Sequence, residues 1–420
     1  MNMNLPKLLI IGYVWPEPES SAAGSRMMQL IRFFLKDHQV YFVTTAAPSP
    51  FMADLKGLGV QTGSIELNSE SFDVFLRKYH PDVVLFDRFM MEEQFGWRVT
   101  ENCPGAVKIL DTEDLHFLRK VRQEAVKGGT KITDSSLFSE VAKREVASIY
   151  RCDLSLIISE KEMSILSQLA VPGFILHYLP LLEEDPETEA GFPTFGERKH
   201  FISIGNFLHE PNWDAVLQLK KSIWPMIRKE IPDAELHIYG AYPNQKVFQL
   251  NAPREGFLIK GRAAAAREVI KASRILLAPL RFGAGIKGKF IDSMSVGTPS
   301  VTTSIGAEAM AGNLSWGGMI RDDPEEFARA ATKLYQDQKL WEKARENGLR
   351  LLKSRFARSL FEEELHLRLS NIRENLQKHR EKNFTGAMLQ QHQVNSTRYL
   401  SKYIETKNKL LLLLNAKNAH

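Results

Sequence analysis

Cysteine is nearly absent: 420 residues hold only two, Cys103 and Cys152. Two thiols build neither a disulfide framework nor a cysteine-rich zinc site, so a reducing compartment is the simpler expectation. Long hydrophobic runs are missing too. No stretch approaches the roughly 18 apolar residues of a membrane span, and the apolar run in MNMNLPKLLIIGYVW is too short for a secretory leader. The expected location is the cytoplasm. H-x-x-x-H and H-E-x-x-H spacings and Cys/His clusters are lacking, so no transition-metal site is expected. Neither a G-x-S-x-G elbow nor a Walker sequence occurs, which sets aside serine hydrolases and P-loop NTPases. The net charge of +5 is concentrated at one end: Ile372–His420 carries nine Lys/Arg against three Asp/Glu, leaving the rest near −1. A body so close to neutral sets aside a general nucleic-acid-binding surface.

What is present is globular material, 44% hydrophobic and 25% charged, long enough for two sizeable cores. KLLIIGYV (Lys7–Val14), VYFVTT (Val40–Thr45), VVLFD (Val83–Asp87), VKILD (Val107–Asp111) and LSLIIS (Leu154–Ser159) read as short apolar strands. Helical periodicity separates most of them, as in Ser25–Lys36. The pattern restarts with HFISIG (His200–Gly205), ELHIYG (Glu235–Gly240), FLIKG (Phe257–Gly261), RILLAPL (Arg274–Leu280) and PSVTT (Pro299–Thr303). Apolar strands without strict alternation, each followed by a helix, predict parallel sheets covered on both faces. The segment between the halves, rich in Pro, Gly and acids, reads as a linker. The expected fold class is therefore α/β, with two doubly wound Rossmann-like domains facing a cleft and a helical C-terminal extension. The expected boundaries are 1–178, a linker at 179–199, 200–355, a helix at 356–378 and a basic tail at 379–420.

In such sheets ligands bind beyond the carboxyl ends of the strands, which singles out four loops. PLRFGAGIKGKFIDSMSVGTPSVTT (Pro279–Thr303) joins a strand to a helix through Gly283, Gly285 and Gly288, with Lys287 and Lys289 alongside. Its glycines, helix start and lysines suit a nucleotide phosphate, and Asp292 suits ribose hydroxyls; a flexible loop with solvated lysines has the same composition. Gly24, Ser25 and Arg26 open a helix after the first strand, as an anion site or a plain tight turn would. After Asp111 come Glu113, Asp114, His116 and Arg119. Here Asp111 and Glu113 could hold Mg²⁺, while Asp111, Thr112 or Asp114 suits a helix cap. TSIGAEAM (Thr303–Met310) adds Gly306 and Glu308 or is a simple strand exit.

The Pro279–Thr303 segment resembles the donor-binding signature of GT-B glycosyltransferases, the family-4-type retaining group (glycosyl transferases group 1). The matching positions are Pro279, Leu280, Arg281, Gly283, Gly285, Lys287, Lys289, Met294, Gly297, Pro299, Val301 and Thr303. ISIGNFLHEPNWDAV, LHIYG and FLIKGR resemble its flanking strands, and the likeness runs from Leu8 to Leu369. It implies donor contacts at Gly205, Asn206, Arg262, Gly283, Gly285, Asp292 and Glu308. Catalytic roles fall to His116, Lys287 and Lys289, and acceptor-side roles to Gly24, Ser25 and Arg26. Two departures stand out. Ala284 occupies the position of a donor-sugar glutamate, leaving that contact to the loop amides. The Arg…Lys pair after the domain's first strand is absent, leaving the diphosphate to Lys287 and Lys289.

The resemblance implies retaining transfer from a nucleotide-diphosphate sugar to a glycan or lipid-linked glycan acceptor, with no cofactor and no metal. A nucleotide-sugar epimerase and a non-catalytic scaffold of a polysaccharide-assembly complex are the competing readings. The basic tail, with Arg398, Lys402, Lys407, Lys409 and Leu410–Leu414, suggests peripheral attachment at the inner face of the membrane. The alternative is a solvated tail packed against nothing.

Overall fold

The computed structural model describes residues 5–132, 134–183 and 191–417. Residues 184–190 of the expected linker, and both chain ends, lie outside them. The first sheet contains β1 (Lys7–Gly12), β2 (Gln39–Thr44), β3 (Gln61–Ser64), β4 (Val83–Asp87), β5 (Val107–Asp111), β6 (Leu154–Ile157) and β7 (Leu176–Tyr178). Its order is β3-β2-β1-β4-β5-β6-β7, with every pairing parallel. The second sheet contains β8 (Lys199–Ile204), β9 (Leu236–Tyr239), β10 (Phe257–Gly261), β11 (Ser273–Ala278), β12 (Ser300–Thr302) and β13 (Gly318–Ile320). It is also parallel, in the order β10-β9-β8-β11-β12-β13.

β1 shows why these strands are apolar throughout. Leu9 and Ile11 pack with Val84, Phe86 and Leu110 on one face, while Leu8 and Ile10 pack with Leu85, Ile109 and Leu156 on the other. A sheet with helices on both sides has no wet face to call for alternation. In each domain the strand order reverses direction beside the first strand, at β1/β4 and at β8/β11. These switch points open a crevice at the carboxyl ends of the strands, and the two crevices face each other.

The chain crosses between domains twice. After the helix Gln338–Arg355 it returns, and Leu365 and Ile372 of the helix Glu362–Glu374 enter the first domain's core beside Leu8 and Ile10. The two crossings are bonded to each other: the Glu183 amide donates to the Phe356 carbonyl at 2.7 Å, and the Arg358 amide to the Glu183 carbonyl at 2.9 Å.

The tail differs from the solvated segment described as the alternative above. Phe384–Lys417 is one 34-residue helix lying on the helices Phe89–Asn102 and Glu140–Arg151. Arg98, buried, bonds Ser401 at 3.2 Å and Glu405 at 2.5 Å, and also pairs with Asp73. Arg380 grips Asp153 at the entry to β6, at 2.8 and 2.9 Å. Two further cations of the tail are spent on the first domain: Arg398 pairs with Glu101 at 2.8 Å and Lys409 with Glu70 at 3.1 Å. Among the described residues, no helix is long and apolar enough to cross a membrane.

Candidate active site at the facing switch points

On the first domain, the exits of β4 and β5 carry three carboxylates, Asp87, Asp111 and Glu113, interleaved with Arg26 and Arg88. Arg26 comes from the start of the helix Ala22–Phe34, yet it is buried. Its Nε lies 2.8 and 3.0 Å from the two Asp111 oxygens, and its Nη1 donates to the carbonyls of Leu179 (2.8 Å) and Pro180 (3.1 Å). Burial opposes its charge, but Asp111 more than compensates and holds its pKa above the usual value. Arg26 is therefore a structural strut, not the acceptor contact expected. Its neighbours are also engaged locally. Ser25 Oγ donates to the Pro18 carbonyl at 3.0 Å, and a side chain at Gly24 would strike the Glu17 backbone, so this glycine permits a tight turn.

Arg88 and Glu113 hold left-handed backbone angles, φ 73° and 62°, at the exits of β4 and β5. Non-glycine residues rarely adopt them, and such strain collects at functional sites. Arg88 lies over the Tyr13 ring at 4.9 Å. Burial and the nearby Asp111 push the Glu113 carboxyl well above its usual range.

The helix His116–Gly128 starts without a cap from its own strand exit: Thr112 bonds the Leu156 carbonyl at 3.0 Å, and Asp111 is taken by Arg26. The cap comes from later helices instead. Glu145 accepts from the His116 and Phe117 amides at 3.0 Å each, and Glu162 accepts from the Leu115 amide at 2.9 Å. His116 is held by its Nδ1, 3.2 Å from the Asp114 carbonyl and 3.4 Å from Glu145. Beside it Asp114 pairs with Arg119. Burial works against the Asp114 charge, but Arg119, His116 and His209 draw its pKa down to about 2.

On the second domain, β8 leads into Gly205 and Asn206. A side chain at Gly205 would meet Asn212, and Asn212 Nδ2 donates to the Asn206 carbonyl at 2.9 Å. Asn212 Oδ1 in turn accepts from Lys289 Nζ at 2.8 Å. Lys289 lies in the first turn of the helix Gly288–Ser295. Burial alone pushes its pKa down to about 8, and among the described residues no carboxylate pairs with it. Lys287 is 9% exposed and donates to the Gly285 carbonyl at 2.9 Å; burial, eased by Glu308, brings its pKa to about 8. His209, which precedes the helix Glu210–Gln218, is pushed down to about 4 by burial and then by Arg119. It is thus a neutral imidazole among cations.

Three expected donor residues are already engaged across the cleft or at its rim. Glu308 receives both Arg122 guanidinium nitrogens at 2.7 Å, and Arg122 also donates to the Gly283 carbonyl at 2.8 Å. Asp292 accepts from Arg267 Nε at 3.0 Å while the same guanidinium holds Glu183 at 2.7 Å twice. Arg262 stacks over Phe51 of the first domain at 4.0 Å. The Gly285 amide donates to Glu162 at 2.9 Å, so one carboxyl serves both the Leu115 helix start and the donor loop. Burial lifts the Glu162 pKa to about 8. A side chain at Gly288 would come within 2.8 Å of Ala22 Cβ, so the two helix starts meet across the cleft.

Sequence reasoning left out Glu162, Arg122, Arg88 and, as a site residue, His209. Their only signal is position: Arg88 and His209 follow the switch-point strands β4 and β8, while Arg122 and Glu162 lie on the helices that follow β5 and β6.

Residues 198–337, a third of the chain that includes the glycine–lysine loop, match a known family described as glycosyl transferases group 1. Over most of its length the chain has the GT-B fold of solved glycosyltransferases. A TarM variant from S. aureus, in complex with fondaparinux, alpha-GlcNAc-glycerol and UDP, is 13% identical with a TM-score of 0.55, over 72% of this chain and 58% of that one. HepE from Anabaena, in complex with UDP and glucose, is 11% identical with a TM-score of 0.66, over 87% of this chain and 100% of that one. Sucrose-phosphate synthase from Thermosynechococcus elongatus is 13% identical with a TM-score of 0.65, over 87% and 99%. Among curated proteins none matches in sequence. In this matched region Lys287, Lys289 and the Gly283–Gly285 loop lie beyond the end of β11, and the first domain brings His116 and Asp114 to the facing wall.

Proposed function

We propose that the chain transfers a sugar from a UDP-sugar to a hydroxyl of a glycan or lipid-linked glycan, with retention at the anomeric carbon and without a metal. The observation that carries this reading is Lys289, a desolvated ammonium at a strand-to-helix switch point whose described partner is only a neutral amide. An ammonium so placed is matched by a phosphate anion. The choice of uridine rests on the fold relatives solved with UDP.

The acceptor oxygen bonds to the anomeric carbon on the same face from which the diphosphate oxygen departs; the electron pair of the broken bond leaves on the diphosphate, which also takes the acceptor hydroxyl's proton. Lys287, Lys289 and the loop amides meet that growing charge, which stabilises the transition state more than the ground state. His116, fixed through Nδ1, turns its ring toward the sugar. Arg88 and Glu113 face the acceptor, which makes the first domain's switch point the recognition surface for its hydroxyls. Asp292 takes the ribose once Arg267 yields.

The test measures release of the matching nucleoside diphosphate from UDP-, GDP- and ADP-sugars, with and without glycan acceptors. Acceptor-dependent release from a UDP-sugar is the expected result. Nucleotide binding without turnover would favour the scaffold, and acceptor-free isomerisation the epimerase.

The site of work is the cytoplasmic face of a membrane, reached through the end of the long C-terminal helix. Leu410–Leu414 are all exposed there, with Lys402 and Lys407 nearby on the same exposed end. Each such cation contributes about 1 kcal/mol near an anionic surface. Full-length protein should sediment with anionic vesicles at low salt more than a variant carrying Leu411→Ser, Leu412→Ser and Leu413→Ser. Equal sedimentation rejects attachment and leaves the transferase reading standing.

A further inference from the structure

At the opposite end of β8 and β9 from the cleft, three side chains with metal-ligating atoms converge. His200 is the second residue of β8, Glu235 precedes β9 and His237 lies inside it. Strand register explains the meeting. Phe201 pairs with Leu236, and both are buried in the core on one face. The residues flanking that pair therefore point to the other face, which puts His200, Glu235 and His237 side by side. His237 Nε2 lies 2.8 Å from Glu235 Oε2, and His200 Nδ1 lies 3.4 Å from the same oxygen. The two imidazoles stack with centroids 4.4 Å apart and planes 24° apart, and the three ligand atoms all lie within 4.8 Å of one another. His200 reaches this position with φ 60°, a left-handed angle unusual for a non-glycine residue at a strand start.

We propose that His200, Glu235 and His237 form a binding site for a divalent transition metal of the zinc type, with water completing the coordination. Two imidazoles and one carboxylate are a donor set suited to such ions. Zinc bonds of about 2.0–2.2 Å in a tetrahedron put ligand atoms about 3.4 Å apart. The His200–Glu235 separation already has that value, and Glu235 and His237 need to part by a few tenths of an ångström. His237 then carries its proton on Nδ1, leaving Nε2 for the metal.

Lys199 and Lys260 lie close enough to reduce the attraction for a cation. Such an ion would clamp β8 to β9 and takes no part in transfer.

Sequence spacing led to the opposite expectation, because the ligands come from two strands and no single segment carries a metal motif.

The test is calorimetric titration of chelator-treated full-length protein with Zn²⁺, together with visible spectra of the Co²⁺ form. One site is expected whose affinity falls about tenfold or more in each of His200→Ala, Glu235→Gln and His237→Ala. Loss of a direct ligand should cost at least what loss of an outer-shell partner does. Glu235→Gln keeps a hydrogen-bond acceptor for His237 and so serves if a histidine variant fails to fold. Zn²⁺ binding that is absent in the wild type, or unchanged in these variants, overturns the proposal.

Discussion

Replacing Arg26 by alanine should lower the free energy of unfolding by about 3–5 kcal/mol, the range for removing one partner of a buried ion pair. The guanidinium is 1% exposed and Asp111 0%. The variant leaves a carboxylate uncompensated in the core and frees the Leu179 and Pro180 carbonyls at the domain crossing. Denaturant unfolding measures the loss. The double variant Arg26→Met with Asp111→Leu should recover most of it, since an apolar pair carries no desolvation penalty. A loss below about 1 kcal/mol in the single variant would contradict the strut.

The second large effect is on the nucleotide. Lys289→Ala should weaken UDP binding by about ten- to a hundredfold, since a charge-assisted phosphate contact contributes roughly 1.5–3 kcal/mol. The pH dependence distinguishes this contact from simple loss of packing. Burial lowers the free-enzyme pKa of Lys289 to about 8, and a bound diphosphate raises it again. A group whose bound-state pKa is raised contributes affinity that is complete below the free value and fades as pH climbs through the bound value. Wild-type affinity should therefore decline above pH about 8, and Lys289→Ala should flatten that decline. Calorimetric titration across pH 6.5–9.5 (values set by ~8 and the ordinary lysine pKa of ~10.4) is the measurement. His116→Ala is the contrast: it should lower turnover while leaving UDP affinity intact. Unchanged affinity in both Lys287→Ala and Lys289→Ala would remove the donor site from this loop.

The central strands β4 and β5, buried on both faces, could be read from sequence, and so could the edge strand β10 through its apolar run Phe257, Leu258 and Ile259. Val83–Asp87, Val107–Asp111 and Phe257–Gly261 match β4, β5 and β10 to the residue. The three that escaped, β3 (QTGS), β7 (LHY) and β13 (GMI), are all edge strands, short and paired on one side only. An edge strand takes its extended form from its neighbour, so its own residues need little pattern.

The glycine–lysine loop at the exit of β11 was legible because glycines and lysines announce themselves locally. The partners of Arg26, Glu308 and Asp292 were not. Each ion pair joins segments far apart in sequence, and local composition does not tell whether a charge faces substrate or another side chain. The caps of the His116–Gly128 helix failed for the same reason, being supplied by Glu145 and Glu162 from other helices.

The paired crossings at Glu183 and Ala357 have a mechanical meaning. A single tether would let the domains twist, slide and swing. Two strands bonded side by side suppress twist and slide and leave one soft axis, like a door hung on two adjacent pins. Glu183 sits on that axis, and Arg267 links it directly to Asp292. A swing of the domains would therefore be felt first at Asp292, through Arg267.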